Sequence, residues 1–367
     1  MRRTILWVAR IAAAVAVVAV LAAAGLLVDR ALRQAQYARE TAITTPDGID
    51  EGRFVTLGGA PQWVRIRGQH RSAPVLLFVH GGPGDAQSLL TALYAAWERD
   101  FVLVQWDQRG AGRTFGRGVR LTPNIPVERM AQDGIELAEY LRQRLGKSRI
   151  LVMGHSWGSV LAVQMVKRRP DLFYGYVGTG QIDRWSDAEA GQYAYALAEA
   201  QRTGNRRQEA ALARLGPPPY ADPTRYADMR VILNGLLDPS DRRFLGLTGL
   251  DPRSEPGLIF TSPGASLWDD WDWASGLWRT SLTPPGYPGL TGADLGALGY
   301  DFAVPVVIIQ GREDHIAPTN LAVAYFQRIR APRKALFLVD GGHFAAMTHV
   351  SEVGAILARE VRPLATR

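Results

Sequence analysis

The sequence predicts an α/β fold: a mainly parallel sheet covered by helices on both faces, with a mainly helical insertion over one end and an apolar helix in front. Three observations lead there. From about residue 53, short uninterrupted apolar runs alternate with helical stretches, and strands apolar throughout are strands buried on both faces. That rhythm stops near residue 183 and resumes near 302. A separate apolar stretch stands at the N-terminus.

Residues 11–28, IAAAVAVVAVLAAAGLLV, are eighteen consecutive uncharged positions. As a helix they rise about 27 Å, close to the hydrocarbon thickness of a bilayer. Arg2, Arg3 and Arg10 precede or border the run, so the positive-inside tendency puts the N-terminus in the cytoplasm and the remaining chain outside it. The run has no polar face, unlike a buried soluble helix. Residues 1–28 therefore read as an uncleaved transmembrane anchor. The alternative is a signal segment cleaved at Ala22-Ala23-Ala24 and an exported chain; against it, the apolar run continues through Leu26-Leu27-Val28. Residues 29–50 read as a polar linker.

Strands are expected next at 53–57 and 63–67, around a Gly-Gly-Ala-Pro turn, then at 75–79, 101–105, 150–153 and 174–177. Helices are expected over 87–98 and 127–145. After the insertion, strands at 304–309 and 335–339 flank a helix at 320–329, and a last helix covers 349–361. The core is thus 51–182 together with 302–367, and 183–301 is a helical cap. The cap contains Gly216-Pro217-Pro218-Pro219 and a cluster of Trp268, Trp271, Trp273 and Trp278. It belongs over the carboxyl ends of the strands, where open α/β sheets place their ligands.

Composition narrows the partners. The 367 residues are 47% hydrophobic and 21% charged, which is ordinary for globular protein. Net charge is +7, but residues 1–40 hold six arginines against Asp29 and Glu40, leaving 36 basic and 33 acidic residues elsewhere. A nucleic-acid partner needs its basic residues on the folded part, so none is expected. Cysteine is absent, which excludes disulfides, thiolate metal sites and a cysteine nucleophile.

Three motifs carry the chemistry. Gly154-His155-Ser156-Trp157-Gly158 lies between an apolar strand and a helical stretch, the strand–turn–helix context of a nucleophile elbow. His80-Gly81-Gly82-Pro83-Gly84 ends the strand at 75–79. Its glycines bring backbone close to a substrate, so the N–H of Gly82 and that of Trp157 are the expected oxyanion donors. His80 is expected to be a structural hydrogen-bonder. Asp314 follows the strand at 304–309, and His343, in Gly341-Gly342-His343, follows the strand at 335–339. Ser156 as nucleophile, Asp314 as orienting acid and His343 as general base complete a triad in the order Ser…Asp…His. Glu313 is the rival acid; His315 and His349 are the rival bases. The combination points to an α/β-hydrolase fold.

HGGPG at 80–84, DQRGAGRT at 107–114, GHSWGS at 154–159, GREDHIAP at 311–318 and GGHF at 341–344 resemble proline iminopeptidases and their relatives in the S33 peptidase family. The resemblance covers roughly 50–182 and 302–367, and the cap only loosely. It implies release of N-terminal residues, often proline, from small peptides through an acyl-enzyme, with no metal or cofactor. It also implies a structural role for Asp107 and Arg109 beside the site. An aminopeptidase must bind a free ammonium group, which in a desolvated pocket calls for a carboxylate. Glu189 is a candidate, although Ser186-Asp187-Ala188-Glu189 also reads as a helix capping box. Asp269, Asp270 and Asp272, interleaved with tryptophans that suit a cation or cap packing, are the others. The alternative activity on the same scaffold is that of an esterase, amidase or lactone hydrolase acting on another small acyl substrate.

Overall fold

Eight strands form one sheet in the computed structural model, which describes residues 2–220, 222–249, 251–282 and 288–366. Residues 1, 221, 250, 283–287 and 367 of the expected units lie outside the described residues. A helix α1 (Arg2–Glu40) comes first. The strands are β1 (Ile49–Leu57), β2 (Ala60–Gly68), β3 (Val75–Val79), β4 (Val102–Asp107), β5 (Ile150–His155), β6 (Phe173–Thr179), β7 (Val306–Gly311) and β8 (Lys334–Val339). Their spatial order is β1-β2-β4-β3-β5-β6-β7-β8. The β1–β2 and β2–β4 pairs are antiparallel, and every other pair is parallel. Parallel neighbours need covered crossovers, and helices α2 (Val127–Leu145) and α3 (Trp157–Arg168) supply two of them.

Burial explains why these segments take these forms. β3, β4 and β5 are buried at every residue, as expected of central strands covered on both faces. On α2 the buried residues Met130, Ala131, Ile135, Ala138 and Leu141 recur at helical spacing, one stripe against the sheet. That helix stops at Gly146, which adopts φ 63°, the left-handed closing residue that glycine favours.

The cap consists of α4 (Trp185–Thr203), α5 (Arg206–Leu215), α6 (Pro223–Asn234), α7 (Pro239–Phe244), α8 (Glu255–Phe260) and α9 (Leu267–Leu277). Five of these open on a side chain that accepts from their own first turn: Asn205, Asp222, Asp238, Ser254 and Ser266. The chain then returns to the sheet through β7, α10 (Thr319–Arg328) and β8, and ends in α11 (Val350–Ile356) with further helical turns to Thr366.

Two segments differ from the sequence reading. Of residues 87–98, only Thr91–Tyr94 is α-helix, followed by a short turn from Trp97. A side chain from β4 takes up backbone there, Gln105 Nε2 donating to the Gln87 carbonyl oxygen at 2.6 Å, while the Tyr94 hydroxyl holds the Gln87 side chain through Oε1 at 2.7 Å. Residues 29–40, read as linker, continue α1 without a break. They do so because Arg30 and Gln34, one turn apart, reach cap carbonyls: Arg30 Nη2 donates to Ala265 at 2.8 Å, and Gln34 Nε2 to Ser262 and Ala265 at 2.9 Å. Upstream of Arg30, residues 7–29 are exposed.

Close packing at one glycine gives a direct test. A Cβ at Gly158 would stand 2.0 Å from the carbonyl oxygen of Val79, backbone that cannot move aside. Gly158→Ala is expected to destabilise the protein by about 3 kcal/mol or more in chemical denaturation. Gly204→Ala, left-handed (φ 65°) but with open space around it, should cost only about 1 kcal/mol. Equal losses would contradict the packing argument.

Candidate active site

β5 runs into α3 through Ser156, whose φ of 53° and ψ of −121° are the only positive-φ backbone at a non-glycine residue among the described residues. Such a conformation costs on the order of 1–3 kcal/mol and persists only where its surroundings impose it. The Ser156 N–H donates to the Thr179 carbonyl of β6 at 2.9 Å, while its carbonyl accepts from the Ser159 N–H at 2.8 Å and hydroxyl at 2.6 Å. Gly154 and Gly158 let the arms of the turn close: a Cβ at Gly154 would lie 2.4 Å from the Gly158 oxygen. Ser156 is thereby raised to the floor of a cleft between sheet and cap.

The loops after β7 and β8 bring Asp314 and His343 to the same place. His343 Nδ1 lies 2.9 Å from Asp314 Oδ2 and 3.1 Å from Oδ1. This contact turns Nδ1 toward the carboxylate and leaves Nε2 on the far edge of the ring. Asp314 is itself fixed. Its Oδ1 accepts from the N–H groups of Ile316 and Ala317 at 2.9 and 2.8 Å, and its Oδ2 from Gln310 Nε2 at 2.8 Å. His343 lines the cleft with Ser156. The rivals lie apart: His315 stacks on Tyr195 with centroids 3.5 Å apart, Glu313 is exposed, and His349 opens α11.

The loop after β3 completes this wall. Gly82, with φ 105°, lines the cleft, and Trp157 is the first residue of α3. Buried bonds fix the two relative to one another. His80 Nδ1 donates to the Gly81 carbonyl at 2.8 Å, its Nε2 accepts from the Gln108 N–H at 3.2 Å, Gln108 Nε2 donates to the His80 carbonyl at 2.9 Å, and Trp157 Nε1 donates to Gln108 Oε1 at 3.1 Å. Burial lowers His80 to about 4, so its ring is neutral at pH 7. Asp107, pushed up to about 6 by burial, accepts from the Arg113 N–H at 3.0 Å. Arg109 pairs with Asp133 at 2.5 Å and donates to the Gly58 carbonyl at 3.0 Å. Both support loops rather than face the cleft.

The cleft encloses about 210 Å³ and brings two carboxylates near Ser156 that the sequence did not single out, Asp85 and Glu255. Asp85 directly follows the glycine loop and Glu255 is the first residue of α8. Both are buried. Burial pushes Asp85 up to about 6, and burial together with the charge of Asp85 holds Glu255 well above the usual carboxylate range. Glu189 lies outside this cleft and accepts from Trp185 Nε1 at 3.1 Å. Its expected capping box does not form, since α4 already begins at Trp185, with Arg184 as cap. Asp269 pairs with Arg113 and caps α9, Asp270 pairs with Arg30, and neither these nor Asp272 lines the cleft.

A further cap carboxylate acts on the histidine loop. Asp241 of α7 accepts the backbone N–H of His343 at 2.6 Å on Oδ2 and that of Phe344 at 3.1 Å on Oδ1. Burial pushes it up to about 7. Among the described residues, no group of three or more His, Asp or Glu side chains is placed to hold a metal ion.

A family model described as the alpha/beta hydrolase fold matches residues 74–350. The chain is 27% identical over 307 residues to the "Probable aminopeptidase YbaC" of Bacillus subtilis, covering 81% of this chain and 91% of that one. It is 30% identical over 232 residues to a "Probable proline iminopeptidase" of Streptomyces coelicolor, covering 62% of this chain and 60% of that one. The crystal structure of a proline iminopeptidase of Mycobacterium smegmatis superposes with a TM-score of 0.51 at 19% identity, covering 86% of this chain and 99% of that one.

Asp241 makes stability depend on pH in a definite direction. Its carboxyl is raised from 3.8 to about 7 in the folded chain, so the folded state holds this proton more tightly than the unfolded one. The stability it contributes is complete below pH about 4 and is lost as pH rises through about 7. Asp241→Asn is expected to remove that part of the pH slope, on the order of 2 kcal/mol between pH 4.5 and 7.5 in urea unfolding. An unchanged slope would refute the assignment.

Proposed function

Given that this chain belongs to the α/β-hydrolase family, we propose that it is a serine hydrolase acting as an aminopeptidase of proline iminopeptidase type on small peptides. The observation that carries this reading is the buried Asp85–Glu255 pair in the cleft with Ser156. Two adjacent buried carboxyl groups sharing one proton form a monoanionic site, suited to an α-ammonium group a short reach from the scissile bond. Resemblance to aminopeptidases over most of the chain supports the same activity.

This reading assigns the following steps. Ser156 Oγ attacks the carbonyl carbon of the first residue as His343 Nε2 takes its proton, and Asp314 stabilises the imidazolium. The N–H groups of Gly82 and Trp157 meet the oxyanion. His343 then protonates the departing amine, which leaves as the shortened peptide, and an acyl ester remains on Ser156. Water, deprotonated by His343, attacks that ester; the free amino acid departs and Ser156 regains its proton. Residues 183–301 serve as the cap that excludes bulk water and limits substrates to chain ends. The exposed apolar turns of α1 serve as a membrane anchor holding residues 51–182 and 302–367 outside the cytoplasm; between Trp7 and Glu40 the helix is long and apolar enough to cross a bilayer.

Ser156→Ala is expected to lower kcat on prolyl and other aminoacyl arylamides by about 10⁴-fold or more, with circular dichroism unchanged. Persistent activity would reject the nucleophile. Asp85→Asn and Glu255→Gln should raise KM for free-amine substrates by about tenfold or more, while simple esters respond much less. Because burial holds Asp85 above the usual carboxylate range, turnover of free-amine substrates relative to esters should rise with pH across the weakly acidic range. Equal turnover of N-acetylated and free substrates would reject the exopeptidase in favour of an esterase or amidase.

A further inference from the structure

Of the cap tryptophans, Trp185 lines the cleft, whereas three others face solvent. On α9, Trp268 is 75% exposed and Trp271 63%; Trp278, at its end, is 58% exposed, and Leu267 is 54% exposed. At about 100° of rotation per residue these four fall within roughly a quarter to a third of the helix circumference. The opposite side holds the buried Trp273 and Gly276. A contiguous aromatic stripe of this kind marks an interaction surface.

What lies against it follows from α1. Residues 7–29 are exposed, and Arg30 is the next residue along and buried. The apolar run ends at Val28, so Arg30 sits about 3 Å beyond it along the axis. Arg30 Nη1 pairs with Asp270 Oδ2 at 2.8 Å, and its guanidinium lies 4.8 Å from the Phe260 ring centroid. Asp270 stands between Trp268 and Trp271 in sequence and borders their stripe on the helix. If the apolar run fills the hydrocarbon layer, the first turn of α9 is at headgroup depth, where tryptophan partitions preferentially.

We propose that the Leu267–Trp268–Trp271–Trp278 face of the cap is a second membrane contact, seated in the lipid headgroup layer beside α1. This rests on reading α1 as a membrane anchor. The occupant is the phospholipid surface itself, since Asp270, at the border of the stripe, pairs with Arg30 just past the apolar run that enters the bilayer. Three side chains that are costly to expose to water are thereby covered, and the cap is held at two points rather than one.

The absence of cysteine allows single-site labelling of the full chain in phosphatidylcholine vesicles. Val15→Cys, Trp271→Cys and Arg206→Cys are each labelled with an environment-sensitive fluorophore and exposed to lipid-borne nitroxides and to aqueous iodide. Arg206 has a side chain 91% exposed and serves as the aqueous reference. The expected result is quenching at 15 by nitroxides deep in the acyl chains. At 271, headgroup nitroxides should quench roughly threefold or more above the level at 206. Quenching at 15 with a label at 271 as aqueous as that at 206 overturns the second contact and leaves the anchor standing. An aqueous label at 15 overturns both. A label at 271 shielded from iodide but not reached by lipid nitroxides assigns the stripe to a second copy of the chain and also overturns the proposal.

Discussion

At Gly158 the backbone of α3 passes so close to β3 that no side chain fits between them. The geometry of the cleft descends from that contact. It forces the chain leaving β5 into a turn too tight for ordinary backbone angles, and Ser156 takes the left-handed conformation as a result. The same contact brings the end of β3, and therefore the glycine loop at 80–84, beside the start of α3. Two amides from distant parts of the sequence then share one small region without any flexible element between them. The loops after β7 and β8 are drawn together by a comparable approach, where a Cβ at Gly311 would meet the Gly342 oxygen at 2.0 Å.

Buried polar groups then secure what backbone packing brings together. His80, Gln108 and Trp157 form a closed set of hydrogen bonds between the loop after β3, the loop after β4 and α3. Asp314 accepts from two amides and a carboxamide besides His343. Each such group is desolvated and satisfied, so displacing one strands another, and the whole wall resists small movements. The carboxyl pair in the cleft is a different case. Burial raises the proton affinity of both Asp85 and Glu255, and the charge of Asp85 raises that of Glu255 further, whereas the hydrogen bond from Glu255 favours the ionised form of Asp85.

What was legible in the sequence was what is local in the chain. The elbow, the glycine loop, the strand-end Asp314 and the Gly-Gly-His before α11 each announce themselves within a few residues. The central strands were legible because complete burial leaves uninterrupted apolar runs. Asp241 and Glu255 were not, since Asp238-Pro239-Ser240-Asp241 and Ser254-Glu255-Pro256 read as ordinary helix starts. Their partners lie 102 residues away in one case and at position 85 in the other. Glu189 stands early in the cap, where a ligand carboxylate is expected, yet it turns to the indole of Trp185. The helix expected over 87–98 failed because polar side chains compete for its backbone. The run of α1 through residues 29–40 was hidden because its stabilising partners are carbonyls of the cap, which leave no trace in composition.

The bonds from Asp241 to the amides of His343 and Phe344 bear on how such a protein can change over evolutionary time. A domain inserted between two strands invites the view that it is a detachable module, exchangeable for another to alter what enters the cleft. Here the insertion also provides the only side-chain acceptor recorded for those two amides among the described residues. A chimera carrying a foreign cap would inherit a histidine loop with two unsatisfied donors unless a carboxylate or carboxamide returned to that place. The insertion and the posture of the histidine are therefore inherited together.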